Sequence, residues 1–117
     1  MRYLVRIIKS LSDETRLRIL NMLFERECCV CEIIEVLGIS QPRASHHLGA
    51  MYTAGLLKMR RVGIYALYSI DWDNLDGYAA DILKDVRRGI GNNHSARADV
   101  LKLSAAQRLI PECSKPA

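Results

Sequence analysis

Gly38-Ile39-Ser40-Gln41-Pro42-Arg43-Ala44-Ser45-His46-His47-Leu48 is the stretch on which the reading of the fold turns. Glycine closes a helix well, because it tolerates the left-handed backbone at a C-terminus. Ser40, two residues on, offers an N-cap, and Pro42 is accommodated because it falls in the first turn, where its missing N–H is not needed. The stretch therefore reads as the connection between two short helices, one over about Val30 to Leu37 and one over about Gln41 to Thr53, with Gly55 marking the end of the second.

Downstream of Gly55 the apolar period changes from helical to alternating. Leu57 and Met59, then Ile64, Ala66, Tyr68 and Ile70, predict two strands joined by a tight turn at Val62-Gly63. Asp71 or Asp73 caps a last long helix striped by Leu75, Ala79, Ile82, Leu83, Val86 and Ile90, which Gly89, Gly91 and Asn92-Asn93 weaken and end. Upstream, Leu4, Ile7, Ile8 and Leu11 give a first helix. Ser12 offers the cap for a second over about Asp13 to Phe24, whose early acids suit the helix dipole. The expected class is mainly α with a small β-hairpin: four helices, the hairpin and a fifth helix, forming a helix-turn-helix followed by a wing. Residues 1–92 make the folded domain. Residues 93–117 form a tail in which Val100 to Ile110 suggest a short helix and Pro111 and Pro116 a loose end.

The 117 residues support one compact domain. Their 50% apolar content is thin for a monomer of several helices, so oligomerisation is expected. No apolar run is long enough to span a bilayer, and Met1 to Ile8 lack the features of a secretory signal, so the expected location is the cytoplasm.

The net charge of +4 matters less than its distribution. Val36 to Ile70 contain no Asp or Glu but carry Arg43, Lys58, Arg60 and Arg61, so a polyanion would meet one favourable region. A recognition helix reads base edges in the major groove with its N-terminal residues, which must be polar and unshielded by acids. Gln41, Arg43, Ser45, His46 and His47 meet that requirement, with one histidine also suited to packing between helices. Arg43 suits guanine and Gln41 adenine, while Lys58, Arg60 and Arg61 on the wing suit phosphates. Double-stranded DNA is the expected partner. No phosphate loop, nucleophile elbow or acid–base pair supports an enzyme.

Cys28, Cys29 and Cys31 precede or open the third helix. Helix N-termini favour thiolates, and thiolates are soft ligands that thiophilic ions select. At about 100° per residue, Cys28 and Cys31 share a helical face while Cys29 points away. Joint capture by Cys29 and Cys31 therefore requires the first turn to unwind or to start later.

Three segments carry a resemblance to a known family: Leu11-Ser12-Asp13-Glu14-Thr15-Arg16-Leu17-Arg18-Ile19-Leu20, Ile39 to Leu48, and Ala54-Gly55-Leu56. Together they resemble the signatures of the ArsR/SmtB metal-responsive repressors over roughly residues 4–90. The resemblance implies a winged-helix homodimer joined through its first and last long helices, and release from a palindromic operator when an effector binds. Glu27-Cys28-Cys29-Val30-Cys31-Glu32-Ile33 resembles the family's arsenic-sensing box, with Cys29 and Cys31 as its central cysteines. The implied effector is As(III), with Sb(III) as its chemical neighbour. Where the family often has a third cysteine this chain has Ile34, so the third thiol falls to Cys28, favoured on proximity, or to Cys113, from the same or the partner subunit. The alternatives are a thiol-based redox trigger or a zinc or cadmium trigger in the same fold. Zinc would need about four ligands, and the last helix lacks the paired Asp/His pattern, with only His94 nearby.

Overall fold

The computed structural model describes residues 1–109, with side chains as far as Ala106. Its elements run α1 (Arg2–Leu11), α2 (Glu14–Glu25), β1 (Cys28–Cys29), α3 (Val30–Leu37), α4 (Gln41–Thr53), β2 (Leu57–Val62), β3 (Tyr65–Ile70), a 3-10 turn (Trp72–Asn74), α5 (Gly77–Ile90) and α6 (His94–Leu109). This is the expected helix-turn-helix and wing, with one further strand and one further packed helix.

The local signals around α3 and α4 act as read. Gly38 adopts φ +65° and donates its N–H to the Ile34 carbonyl, ending α3. Ser40 caps α4 by accepting from the Arg43 N–H at 3.3 Å. For α2 the cap is Asp13, which accepts from the Arg16 N–H at 3.0 Å, whereas Ser12 donates back to the Ile8 carbonyl at 2.8 Å. The start of α5 also differs from expectation: Asp71 precedes the 3-10 turn and Asp76 occupies the N-cap position.

The sheet order is β1-β3-β2, antiparallel throughout. Val62 pairs with Tyr65, so the hairpin turns on Gly63-Ile64, one residue later than expected. Gly63 takes φ +60° at the first central position, the requirement of a type II′ turn. Ile64 sits at the exposed wing tip instead of in a strand.

Ile7, Ile19, Leu20, Met22, Ile33, Leu48, Met51, Leu56 and Leu83 form one buried core, joined by Leu103 and Ala106 of α6. The helix at the expected tail thus packs against α2 and α3. Asp99, fully buried, accepts two hydrogen bonds from Arg18 at 2.8 and 2.9 Å, and the Asn21 amide donates to the Ala96 carbonyl at 3.0 Å. Pairing of this kind lets a helix carry a buried charge into a core. Pro111, Cys113 and Pro116 lie outside the described residues, as does the end of the helix expected at Ile110.

Large apolar side chains remain exposed on α1 and α5. Val5 is 42% exposed, Ile8 49% and Tyr78 46%, and Tyr78 sits beside Tyr3 of α1 with ring centroids 6.0 Å apart. No helix among the described residues is long and apolar enough to cross a membrane.

Candidate functional site

The cysteine box straddles a strand and a helix. Cys28 and Cys29 pair with Tyr68 and Leu67 of the wing strand β3, and α3 begins only at Val30. The helix therefore starts late, which is one of the two conditions under which Cys29 and Cys31 can approach one another. They do: the two residues are joined as a disulfide, with Cα atoms 5.4 Å apart. The bridge spans two positions and ties no distant elements together, so it is no disulfide framework.

Successive strand residues face opposite ways, and this separates Cys28 from Cys29. Its side chain enters the main core, while Cys29 packs with Leu67, Cys31, Val62 and Tyr65 in a separate small cluster. Burial pushes the Cys28 thiol up to about 12, and its Sγ donates to the Arg26 carbonyl at 3.4 Å. A buried, protonated thiol on the far face of the strand does not share a site with Cys29 and Cys31. The shared helical face assumed for Cys28 and Cys31 fails because Cys28 is not helical. Cys113, the other third-thiol candidate, lies outside the described residues.

Two acids that sequence reasoning passed over anchor this box. Glu32, fully buried, accepts the Cys29 N–H at 3.0 Å and both Nη1 (3.1 Å) and Nη2 of Arg26. Arg26 also donates to the Glu27 carbonyl and to the Leu103 carbonyl of α6. A glutamate three residues after an N-cap is the capping-box signal, hidden here because the cap is a cysteine. Glu27 takes two hydrogen bonds from Arg60 of β2, at 2.8 and 2.6 Å. The box is thus tied to the wing twice, through the β1–β3 ladder and through Glu27–Arg60.

The candidate DNA-contacting residues divide more finely than their sequence suggests. Gln41, Arg43, Ser45 and His46 are exposed on α4. His47 is turned inward, and its Nδ1 accepts from Arg16 Nε at 3.1 Å. Burial pushes its pKa below the ordinary 6.5, and its contact with Arg16 links α4 to α2. On the wing, Lys58 and Arg61 are exposed, whereas Arg60 is engaged by Glu27. Cys29, Cys31, Gln41, Ser45 and Arg61 line one cleft of about 390 Å³. The thiol pair and these candidate DNA-contacting residues are therefore immediate neighbours.

The family model described as bacterial regulatory protein, arsR family, matches residues 13–58. The arsenical resistance operon repressor of Escherichia coli K12 is 36% identical over 85 residues, covering 72% of this chain and 72% of that protein. A cadmium resistance transcriptional regulatory protein CadC homolog of Staphylococcus aureus is 39% identical over 67 residues, covering 56% of this chain and 55% of that protein. Among solved structures, a homodimeric winged helix-turn-helix DNA-binding domain from Mycobacterium bovis, described as a possible ArsR-family regulator, superimposes with a TM-score of 0.64. It is 28% identical, over 80% of this chain and 82% of that one. The chain belongs to the ArsR family of DNA-binding transcriptional regulators, and it is not an enzyme.

Proposed function

We propose that this regulator represses transcription as a homodimer on operator DNA and releases it when trivalent arsenic, or antimony, is captured by the reduced thiols of Cys29 and Cys31. The observation that carries the reading is the approach of these two side chains at the start of α3, in the cleft they share with Gln41, Ser45 and Arg61. Paired thiolates are the donor set that a soft, thiophilic ion selects over hard cations. Each As–S bond formed from arsenous acid uses one thiol proton and expels one hydroxide as water. The inward placement of Cys28 leaves Cys113, from the same or the partner subunit, as the candidate for a third thiolate.

Release follows from what the box is attached to. An ion held by Cys29 and Cys31 fixes the spacing between β1 and the first turn of α3, and so acts where the Glu32 cap, the β1–β3 ladder and the Glu27–Arg60 pair meet. The recognition helix and the wing then lose their common frame. Homodimerisation is supported by the apolar strip of Val5, Ile8 and Tyr78 on α1 and α5, which water would otherwise cover.

A second reading is favoured by one observation, the bond between Cys29 and Cys31: an oxidant, not a metalloid, closes the pair and releases DNA. One titration separates the two. The wild-type protein is bound to a duplex that it has selected from a random pool. Arsenite, antimonite, zinc and cadmium are then added in the presence of a thiol reductant, and peroxide is added separately without metal. Release by arsenite under reduction supports the metalloid reading, release by peroxide alone the oxidative one, and release by zinc or cadmium alone rejects both. Cys113→Ser should weaken arsenite capture, while Cys28→Ala should leave it intact.

A further inference from the structure

Helix α1 carries three stripes, and only two have an evident use. At about 100° per residue, Tyr3, Ile7, Ser10 and Leu11 fall on one face, and it is turned to the core. Met1, Leu4, Val5 and Ile8 fall on the next, with Met1, Val5 and Ile8 exposed. Arg2, Arg6 and Lys9 fall on the third, exposed and free of ion pairs with acids among the described residues. The third stripe borders a groove of about 530 Å³ between α1 and α4, lined by Arg6, Lys9 and Arg16 on one side and Ser45, His46 and Gly49 on the other. No Asp or Glu lines it. The groove continues the exposed face of the recognition helix, since Ser45 belongs both to it and to the cleft beside the thiols.

Gly49 is a second, independent sign. Glycine inside a helix costs up to about 1 kcal/mol relative to alanine, so its presence calls for a reason. A Cβ built there meets nothing within 4 Å, so packing inside the chain does not require its absence. A flat helix surface beside three cations suits close approach by something outside the chain.

We propose that this groove receives the sugar–phosphate backbone flanking the major-groove contact, with Arg6 and Lys9 of α1 and Arg16 of α2 as its phosphate-binding residues. The inference rests on the DNA-binding reading and extends the footprint beyond the helix-turn-helix and wing to the first helix. It also gives α1 two jobs on adjacent faces: pairing subunits through Val5 and Ile8, and gripping DNA through Arg6 and Lys9. A shift at the dimer seam would then be felt directly at the phosphates.

The test is the salt dependence of binding for the Arg6→Ala/Lys9→Ala double variant, on the selected duplex and on a scrambled duplex of equal length. Each phosphate contact contributes about 0.9 to the slope of log affinity against log salt. The slope should therefore fall by about 1.8, so a fourfold rise in salt should weaken the variant about twelvefold less than the wild type. The loss should be equal on both duplexes, and the dimer, measured by analytical ultracentrifugation, should be unchanged. Arg6→Lys/Lys9→Arg should restore the slope. Arg97→Ala/Lys102→Ala, which removes two exposed charges from α6, should leave it as in the wild type. An unchanged slope for the α1 variant, an equal fall for the α6 variant, or dissociation of the dimer would each overturn the assignment. Failure of the wild type to prefer any duplex would instead remove the DNA reading on which it stands.

Discussion

Replacing Glu32 by alanine probes the joint on which the cysteine box depends. The carboxylate is fully buried, caps α3 through the Cys29 N–H and holds the Arg26 guanidinium through two further hydrogen bonds. Loss of the cap interaction costs roughly 1 kcal/mol. Removing one partner of a buried ion pair costs about 3–5 kcal/mol. Arg26 sits at the lower end of that range, because its side chain is 23% exposed and keeps its bonds to the Glu27 and Leu103 carbonyls. The expected loss is therefore about 4 kcal/mol, a large share of the ~5–15 kcal/mol typical of a small domain. With a urea m-value of about 2 kcal/mol/M, the unfolding midpoint should fall by about 2 M at fixed protein concentration. Glu32→Gln keeps the shape and the cap acceptor and should lose less. A double-mutant cycle with Arg26→Met should return a coupling above about 1 kcal/mol. A midpoint shift under about 0.5 M for Glu32→Ala, or a coupling near zero, would refute the view that this pair holds the box in place.

Three other outcomes follow from the same geometry. Arg43→Ala should lower affinity for the selected duplex by about 1–3 kcal/mol while leaving scrambled-duplex binding nearly unchanged, as competition binding will show. Glu27→Gln should release Arg60 toward phosphates and steepen the salt slope by as much as about 0.9, read by fluorescence anisotropy; a shallower slope would count against the Glu27 restraint. His47, whose pKa burial pushes below 6.5, favours the neutral imidazole in the folded chain. The unfolded chain therefore binds more protons as pH falls, and the stability from neutral His47 is complete above about 6.5 and lost as pH drops through the lower folded value. Chemical denaturation between pH 7 and 5 should record that loss, and His47→Gln, which keeps an acceptor for Arg16, should abolish it. Asp13 is held below its ordinary 3.8, first by the Arg16 N–H, so its loss lies in a separate and more acidic window.

What could be read from the sequence was what is locally encoded. Gly38 and Ser40 fix the ends of α3 and α4 through their own backbone and side chain, so those boundaries were visible. Strand β1 was not, because two residues have no period and Cys28 and Cys29 become a strand only by pairing with Tyr68 and Leu67. That one non-local pairing decides which thiols meet, and it turned Cys28 from a proximate candidate into a core residue. Helix α6 escaped clear reading because its inward face mixes Leu103 and Ala106 with Asp99, a charge that only its partner Arg18 makes buriable. That His47 meets Arg16 and Arg60 meets Glu27 was not legible either, because no sequence window spans those pairs.

The central claim is tested most directly by titrating arsenite, under thiol reductant, into the operator complex of the wild type and of Cys29→Ser and Cys31→Ser. The account predicts that the wild type releases DNA at about one arsenite per subunit, and that both variants bind DNA like the wild type and stay bound. Arsenite-driven release that survives in the doubly substituted Cys29→Ser/Cys31→Ser protein would contradict it.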